Sequence, residues 1–206
     1  MLLFATNNAH KLEEARAILP CPVMSLAEVG IHEDIPETGV TLEANSLEKA
    51  RFVFNRLHQA CFADDTGLEV DCLHGAPGYM TARYSGEPVD SNRNMDKLLE
   101  EMAQADPSLT NRGAQFRTVI TYIRDDGETF QVSGIVRGRI ALRKSGTAGF
   151  GYDPLFIPDP LPAITSFGST TASAIPNDLT FSELGEEVKN HISHRARALH
   201  ALLPFL

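Results

Sequence analysis

Apolar and polar positions along the chain sort into short runs with distinct periods. Leu2 to Ala5 is a continuous apolar run cut off at once by polar residues, the pattern of a buried strand. From Lys11, the residues Leu12, Ala15, Ile18 and Leu19 recur at helical spacing until Pro20 ends them. A second helix is predicted over Leu42 to Gln59, with Leu47, Ala50, Phe54 and Leu57 on one face, and it leads into the apolar run Ala60 to Ala63. That short strand closes on Asp64-Asp65-Thr66-Gly67. Leu68, Val70 and Cys72 then alternate with Glu69, Asp71 and Leu73 as a half-buried strand. Asn92 to Met102 is amphipathic through Met95, Leu98, Leu99 and Met102. Gln115 to Arg124 and Thr129 to Ala141 are strand-like runs joined around Asp125-Asp126-Gly127, a hairpin signal. Gly146 to Tyr152 is rich in glycine, and Pro158 to Asn177 reads as a long loop. A last helical region runs from about Glu186 to Leu203. Strands alternating with helices predict an α/β fold with a mixed sheet and no internal repeat.

Composition narrows the class of function. The chain has 206 residues, enough for one well-buried domain without metal or disulfide support. With 18 Lys+Arg against 27 Asp+Glu, the formal charge of −9 argues against a non-specific nucleic-acid binder and suits a site that gathers Mg²⁺. Cys21, Cys61 and Cys72 are odd in number and lack C-x-x-C spacing, as expected of reduced thiols. The apolar start is too short for a signal peptide, and no stretch reaches the ~18 apolar residues of a membrane helix. A soluble, cytoplasmic protein is expected.

Four stretches carry chemistry. Phe4 to Leu12 is a strand–loop–helix element whose helix start, with Lys11, suits a phosphate; it also reads as a capped helix with Asn8 as N-cap. Asp64-Asp65, with Glu37 and Glu43 upstream, suits Mg²⁺ at a strand end, or a capping turn. Gly149-Phe150-Gly151-Tyr152-Asp153-Pro154 could offer a flat ring to a nucleobase, or make a tight bend beside the core. In Lys189 to Arg195, His191 and His194 have no matching third metal ligand. Lys189 and Arg195 would point ~120° apart in an unbroken helix. If both serve one ligand, the helix must break between them, with Ser193 as the new N-cap.

The ordered set Thr6-Asn7-Asn8-Ala9-His10-Lys11, Glu37 to Asn45, Ala63 to Leu68, Gly75-Ala76-Pro77-Gly78 with Ala82 to Gly86, Gly149 to Pro154, and Lys189 with Ile192-Ser193-His194-Arg195 resembles the inosine triphosphate pyrophosphatase family. The resemblance runs from residue 2 to about 203. It implies a single two-lobed domain over 1–206, a long central mixed β-sheet flanked by helices around a nucleotide-binding cleft, and a homodimer. The implied reaction is Mg²⁺-dependent hydrolysis of non-standard purine nucleoside triphosphates (ITP, dITP, XTP) to the monophosphate and pyrophosphate, with no nucleic-acid or membrane partner. By the same resemblance, Thr6, Asn7, Asn8, Ala9, His10 and Lys11 bind phosphate, Glu37 and Asp65 hold the metal, and Asp65 is the proton acceptor. Thr66 contacts substrate; Phe150, Gly151, Tyr152 and Asp153 form the base-binding segment; Lys189 contacts substrate; and His194-Arg195 face the purine.

A donor-only group such as Arg195 suits a 6-oxo purine and opposes the 6-amino group of adenine. The chain departs from the family where Asn7 and His10 replace usual glycines and where Ala44 replaces a frequent Glu, leaving Glu43 as the neighbouring carboxylate. Two other readings are a related house-cleaning pyrophosphatase for other modified nucleotides and a nucleotide-binding module that has lost catalysis.

Overall fold

A computed structural model describes residues 1–33, 35–160 and 177–206. Its elements in chain order are β1 (Leu2–Phe4), α1 (Ala9–Ile18), β2 (Val23–Met24), α2 (Leu42–Leu57), β3 (Cys61–Val70) and β4 (Pro77–Gly78). There follow α3 (Ser91–Ala105), β5 (Gly113–Ile123), β6 (Thr129–Ile140), β7 (Phe156–Pro158), α4 (Phe181–Ile192) and α5 (His194–Leu202). Among the described residues the strands form one seven-stranded sheet in the order β2-β1-β3-β5-β6-β7, with β4 on β3. The sheet is mixed: β1 pairs parallel with β2 and β3, whereas β4 and β7 pair antiparallel with β3 and β6. The expected α/β class is therefore the observed one. The hairpin between β5 and β6 closes through Arg124 N–H to Glu128 O (2.9 Å), with Gly127 at φ 87°.

The chain divides into two compact units. The first comprises 1–67, 116–135 and 190–206, the second 68–115 and 136–189. In the first, strand alternation separates two cores. Leu2, Phe4 and Phe62 face Ala15 and Leu19 of the α1 segment and Ala198, Leu199 and Leu202 of α5. Leu3, Ala5, Cys61 and Ala63 face Ala50 and Val53 of α2. Phe4 and Phe62 stack at 4.2 Å across the parallel pair β1–β3. In the second unit, α3 buries Met95, Leu98 and Met102 as its period predicts, and Phe156 packs on Phe181 at 5.0 Å.

Three expectations need correcting. Residues 61–70 form one ten-residue strand, so Asp64 and Asp65 lie in mid-strand and neither end a short strand nor cap a turn. The strand stops at Val70, where Asp71–Leu73 turn into a 3₁₀ segment in place of the predicted extension through Cys72. Helix α2 buries Leu42, Asn45, Ser46, Lys49, Ala50 and Val53, a face rotated from the predicted Leu47–Phe54–Leu57 stripe because polar residues turn inward. The long loop expected over Pro158 to Asn177 lies, for residues 161–176, outside the described residues. The last helical region is broken twice, at Gly185 (φ 79°) and at Ser193.

Candidate active site

Period-2 alternation along β3 sends Asp64 and Asp65 to opposite faces of the sheet. The two neighbours therefore do not act as a chelating pair. They anchor two separate charge clusters in the first unit.

On the face of α1 and α5, Asp64 is 1% exposed. It receives Lys11 Nζ at 2.9 Å on Oδ1 and Arg195 Nε at 3.3 Å on Oδ2. Arg195, only 2% exposed, also donates to Glu14, three residues beyond Lys11 on α1. Burial opposes the Asp64 charge, but Lys11, Arg195 and Lys49 outweigh it and hold the carboxyl far below its ordinary range. Burial lowers the Lys11 ammonium, with Asp64 working in the other direction. Arg195 is placed by the α4–α5 break: Ser193 takes extended angles (φ −63°, ψ 156°) and its side chain accepts from Ala196 N–H. The sequence made this break and cap conditional on Lys189 and Arg195 serving one ligand; the break is present, with Lys189 on Asp153 and Arg195 on Asp64. His194 begins α5 stacked on Phe116 at 4.7 Å. Helix α5 approaches β6 so closely that a Cβ on Gly134 would collide with His194 O and Ala198 N.

The expected phosphate loop begins at buried Thr6 and continues through exposed Asn7, Asn8, Ala9 and His10. Asn8 is the N-cap of α1, accepting from Lys11 N–H at 3.2 Å, while its own N–H donates to Thr6 Oγ1 at 3.1 Å. Capping and an exposed first turn of N–H groups coexist here. Neither Asn7 nor His10 takes a positive φ, so the backbone at these positions does not require glycine.

On the face of α2, Asp65 accepts from Lys49 Nζ at 2.9 Å and from Asn45 Nδ2 at 3.2 Å. The same ammonium lies 2.6 Å from Glu37 Oε1. Thr38 N–H and Oγ1 donate to Glu48 at 2.7 and 2.9 Å, which pins the Glu37 segment to α2. Burial raises the Asp65 carboxyl above its ordinary value despite Lys49. For Lys49, burial is outweighed by Asp65, Asp64 and Glu37, so the ammonium is raised and stays charged. Glu43, the carboxylate beside Ala44, is paired instead with Arg117 at 2.5 Å. Thr66 Oγ1 shares a hydrogen bond of 2.8 Å with the buried Thr118 hydroxyl.

A divalent cation fits this second cluster. Glu37 and Asp65 supply carboxylates, and Asn45 Oδ1 is buried with no hydrogen-bond partner among the described residues. A Cβ on Gly39 would lie 2.7 Å from that oxygen, so glycine leaves room for it. Two carboxylates and little else from the protein is the donor set Mg²⁺ favours, with water and phosphate completing its shell. Among the described residues, no group of three His, Cys, Asp or Glu is arranged to hold a metal, the His191/His194 pair included.

The second unit holds the glycine-rich segment and Lys189. Asp153 is buried and accepts from Lys189 Nζ at 2.5 Å and from Phe150 N–H at 2.8 Å. A Cβ on Gly149 (φ 81°) would strike this carboxylate. Lys189 Nζ sits 4.3 Å from the centre of the Phe150 ring, which is 41% exposed and so offers an accessible flat surface. Tyr152 is buried with its hydroxyl donating to Thr81 O at 3.1 Å, and Gly151 takes φ 62°.

Three residues that sequence reasoning missed now belong to these clusters: Glu14, Asn45 and Lys49. Asn45 and Lys49 stand four apart on α2 among buried positions, and that interruption of an apolar stripe by polar residues was the available signal.

The chain is 48% identical to a dITP/XTP pyrophosphatase of Porphyromonas gingivalis, over 100% of this chain and 96% of that protein. It is 42% identical to a protein of the same name from Flavobacterium psychrophilum, over 99% and 97%. The solved structure of the Staphylococcus aureus Ham1 protein matches with a TM-score of 0.82 at 36% identity, covering 99% of this chain and 96% of that one. A HAM1 protein from Coxiella burnetii matches with a TM-score of 0.83 at 30% identity and the same coverage. The family model described as the Ham1 family spans residues 2–205, and the chain belongs to that family.

Proposed function

We propose that this protein is a nucleoside-triphosphate pyrophosphohydrolase that converts dITP, XTP and ITP to the monophosphate and pyrophosphate. The observation that carries the reading is the cluster of buried Asp65 and Lys49 with exposed Glu37 on the α2 face of β3, in a chain whose whole-length relatives bear the name dITP/XTP pyrophosphatase. Asp65, with its carboxyl raised by burial, takes the proton of a water whose oxygen attacks the α-phosphorus. The bond from that phosphorus to the bridging oxygen of the β-phosphate breaks, and pyrophosphate leaves. A magnesium ion held by Glu37 and Asp65 would supply charge neutralisation for the phosphates when bound. Lys11, at the start of α1, adds a cation of the chain's own, and phosphoryl transfer is governed by positioning and charge.

Base choice follows from donors. Arg195 only donates, and Asp64 and Glu14 hold it rigidly. Facing a purine, it donates to a 6-oxo group and leaves a 6-amino group opposed, a mismatch worth ~10⁴-fold where a site is built around such bonds. The Phe150 ring over Lys189 offers the stacking surface that the resemblance assigns to the base-binding segment. The magnesium requirement, a homodimeric state and a cytoplasmic location belong to the same proposal.

Product analysis tests it. Incubated with Mg²⁺ and dITP, XTP or ATP in parallel, the protein is expected to release pyrophosphate and monophosphate from the first two and leave ATP nearly untouched. Orthophosphate as the product, or equal attack on ATP, overturns the reading.

A further inference from the structure

Lys49 is more than a neighbour of the two carboxylates that suit a metal. Its single ammonium joins them, 2.6 Å from Glu37 and 2.9 Å from Asp65. Its side chain is more buried than the Asp65 it touches, while Glu37 reaches it from the solvent side. Asn45, 1% exposed, donates to Asp65 through Nδ2 and keeps Oδ1 without a hydrogen-bond partner among the described residues, against Gly39 and two positions from Glu37. The two carboxylates that suit a divalent ion are therefore already bridged by an ammonium that offsets half of their charge. A divalent cation and an ammonium on the same two carboxylates repel each other, most strongly at the buried Asp65 end.

We propose that Lys49 is an internal competitor for the metal. In the nucleotide-free protein its ammonium holds Glu37 and Asp65 together, and a divalent cation joins those carboxylates only by displacing it. The freed ammonium is neutralised by the phosphates of an arriving nucleotide, so metal and nucleotide each favour the binding of the other. The inference rests on the placement of the metal at Glu37 and Asp65, and it assigns to Lys49 a task that precedes chemistry: keeping the metal weakly bound until a phosphate chain arrives.

The test is Mn²⁺ binding to the full chain without nucleotide, followed by electron paramagnetic resonance. Lys49→Met, close in length but uncharged, is expected to bind Mn²⁺ at least tenfold more tightly than the wild type, while Lys49→Arg shows no such gain. Adding Glu37→Gln to Lys49→Met should reverse the gain. A folded Lys49→Met protein that binds Mn²⁺ no more tightly overturns the competition and leaves the hydrolysis reading to its own product assay. If Glu37→Gln fails to reverse the gain, the ion lies elsewhere, and both the competition and the metal placement fall. Should Lys49→Met prove unstable without metal, melting curves decide. Mn²⁺ must raise its melting temperature by more than it raises that of the wild type, and an equal or smaller rise overturns the inference.

Discussion

Asp65→Asn keeps the size of the side chain while removing the charge that Lys49 meets and the base that the proposed reaction uses. Its expected effect is a fall in kcat of ~10²–10⁴, the usual contribution of a positioned general base, with KM changed by less than about threefold. Steady-state kinetics on dITP checks this, and a larger change in KM than in kcat would assign Asp65 to binding. Asp64 shows why the sequence position alone was not enough. Lys11, Asp64 and Asp65 were legible as candidates because charges beside an apolar strand stand out, and Arg195 because it closes the Lys189 to Arg195 stretch that the resemblance singles out. Which carboxylate faces which helix follows from strand alternation once β3 is known to be continuous. Lys49, Asn45 and Glu14 were hidden because lysine, asparagine and glutamate in a helix ordinarily face water. Their inward orientation is set by β3 and Glu37, which are distant in sequence.

At the scale of elements, the docking of α5 on β6 depends on a missing side chain. A Cβ at Gly134 would meet the backbone of α5 at His194, Arg197 and Ala198, and backbone gives way less readily than a side chain. Gly134→Ala is therefore expected to destabilise the fold by ~1–3 kcal/mol, as overpacking does, and to displace His194 and Arg195 along with the helix. Urea unfolding gives the first quantity. The ratio of dITP to ATP turnover gives the second, and it should fall while Lys11 and Asp65 stay in place. The α4–α5 break was legible only conditionally, from the ~120° between Lys189 and Arg195 and a local cap candidate in Ser193. The continuity of β3 was not. Asp64-Asp65-Thr66-Gly67 has the composition of a turn, and only ion pairs from both faces make so polar a run tolerable inside a sheet.

For the molecule as a whole, the sheet order and the short strands β2, β4 and β7 escaped sequence reasoning. Two or three residues carry no period, and β2, β4 and β7 exist because longer strands offer them edges. Cys61 offers a probe of the assembled first unit. Burial pushes its thiol up to about 12, so at pH 8 it stays protonated and covered. It is expected to ignore a thiol reagent in native protein and to react at a rate that follows global unfolding, rising with added urea. Reaction at the native rate of a half-buried thiol such as Cys72 would show that β3 opens locally. The way the first unit is divided along the chain also has a consequence for synthesis. Its segments end at residue 67 and resume only at 116 and 190, and Arg195, the second cation on Asp64, belongs to the last of them. At about 5–20 residues per second, the ribosome delivers that segment on the order of ten seconds after the first. Through that interval the nascent chain carries Asp64, Lys11 and Glu14 without the guanidinium that joins them. The selectivity proposed for Arg195 therefore arrives last, and a chain cut short before α5 would hold the proposed catalytic carboxylate, Asp65, without that guanidinium.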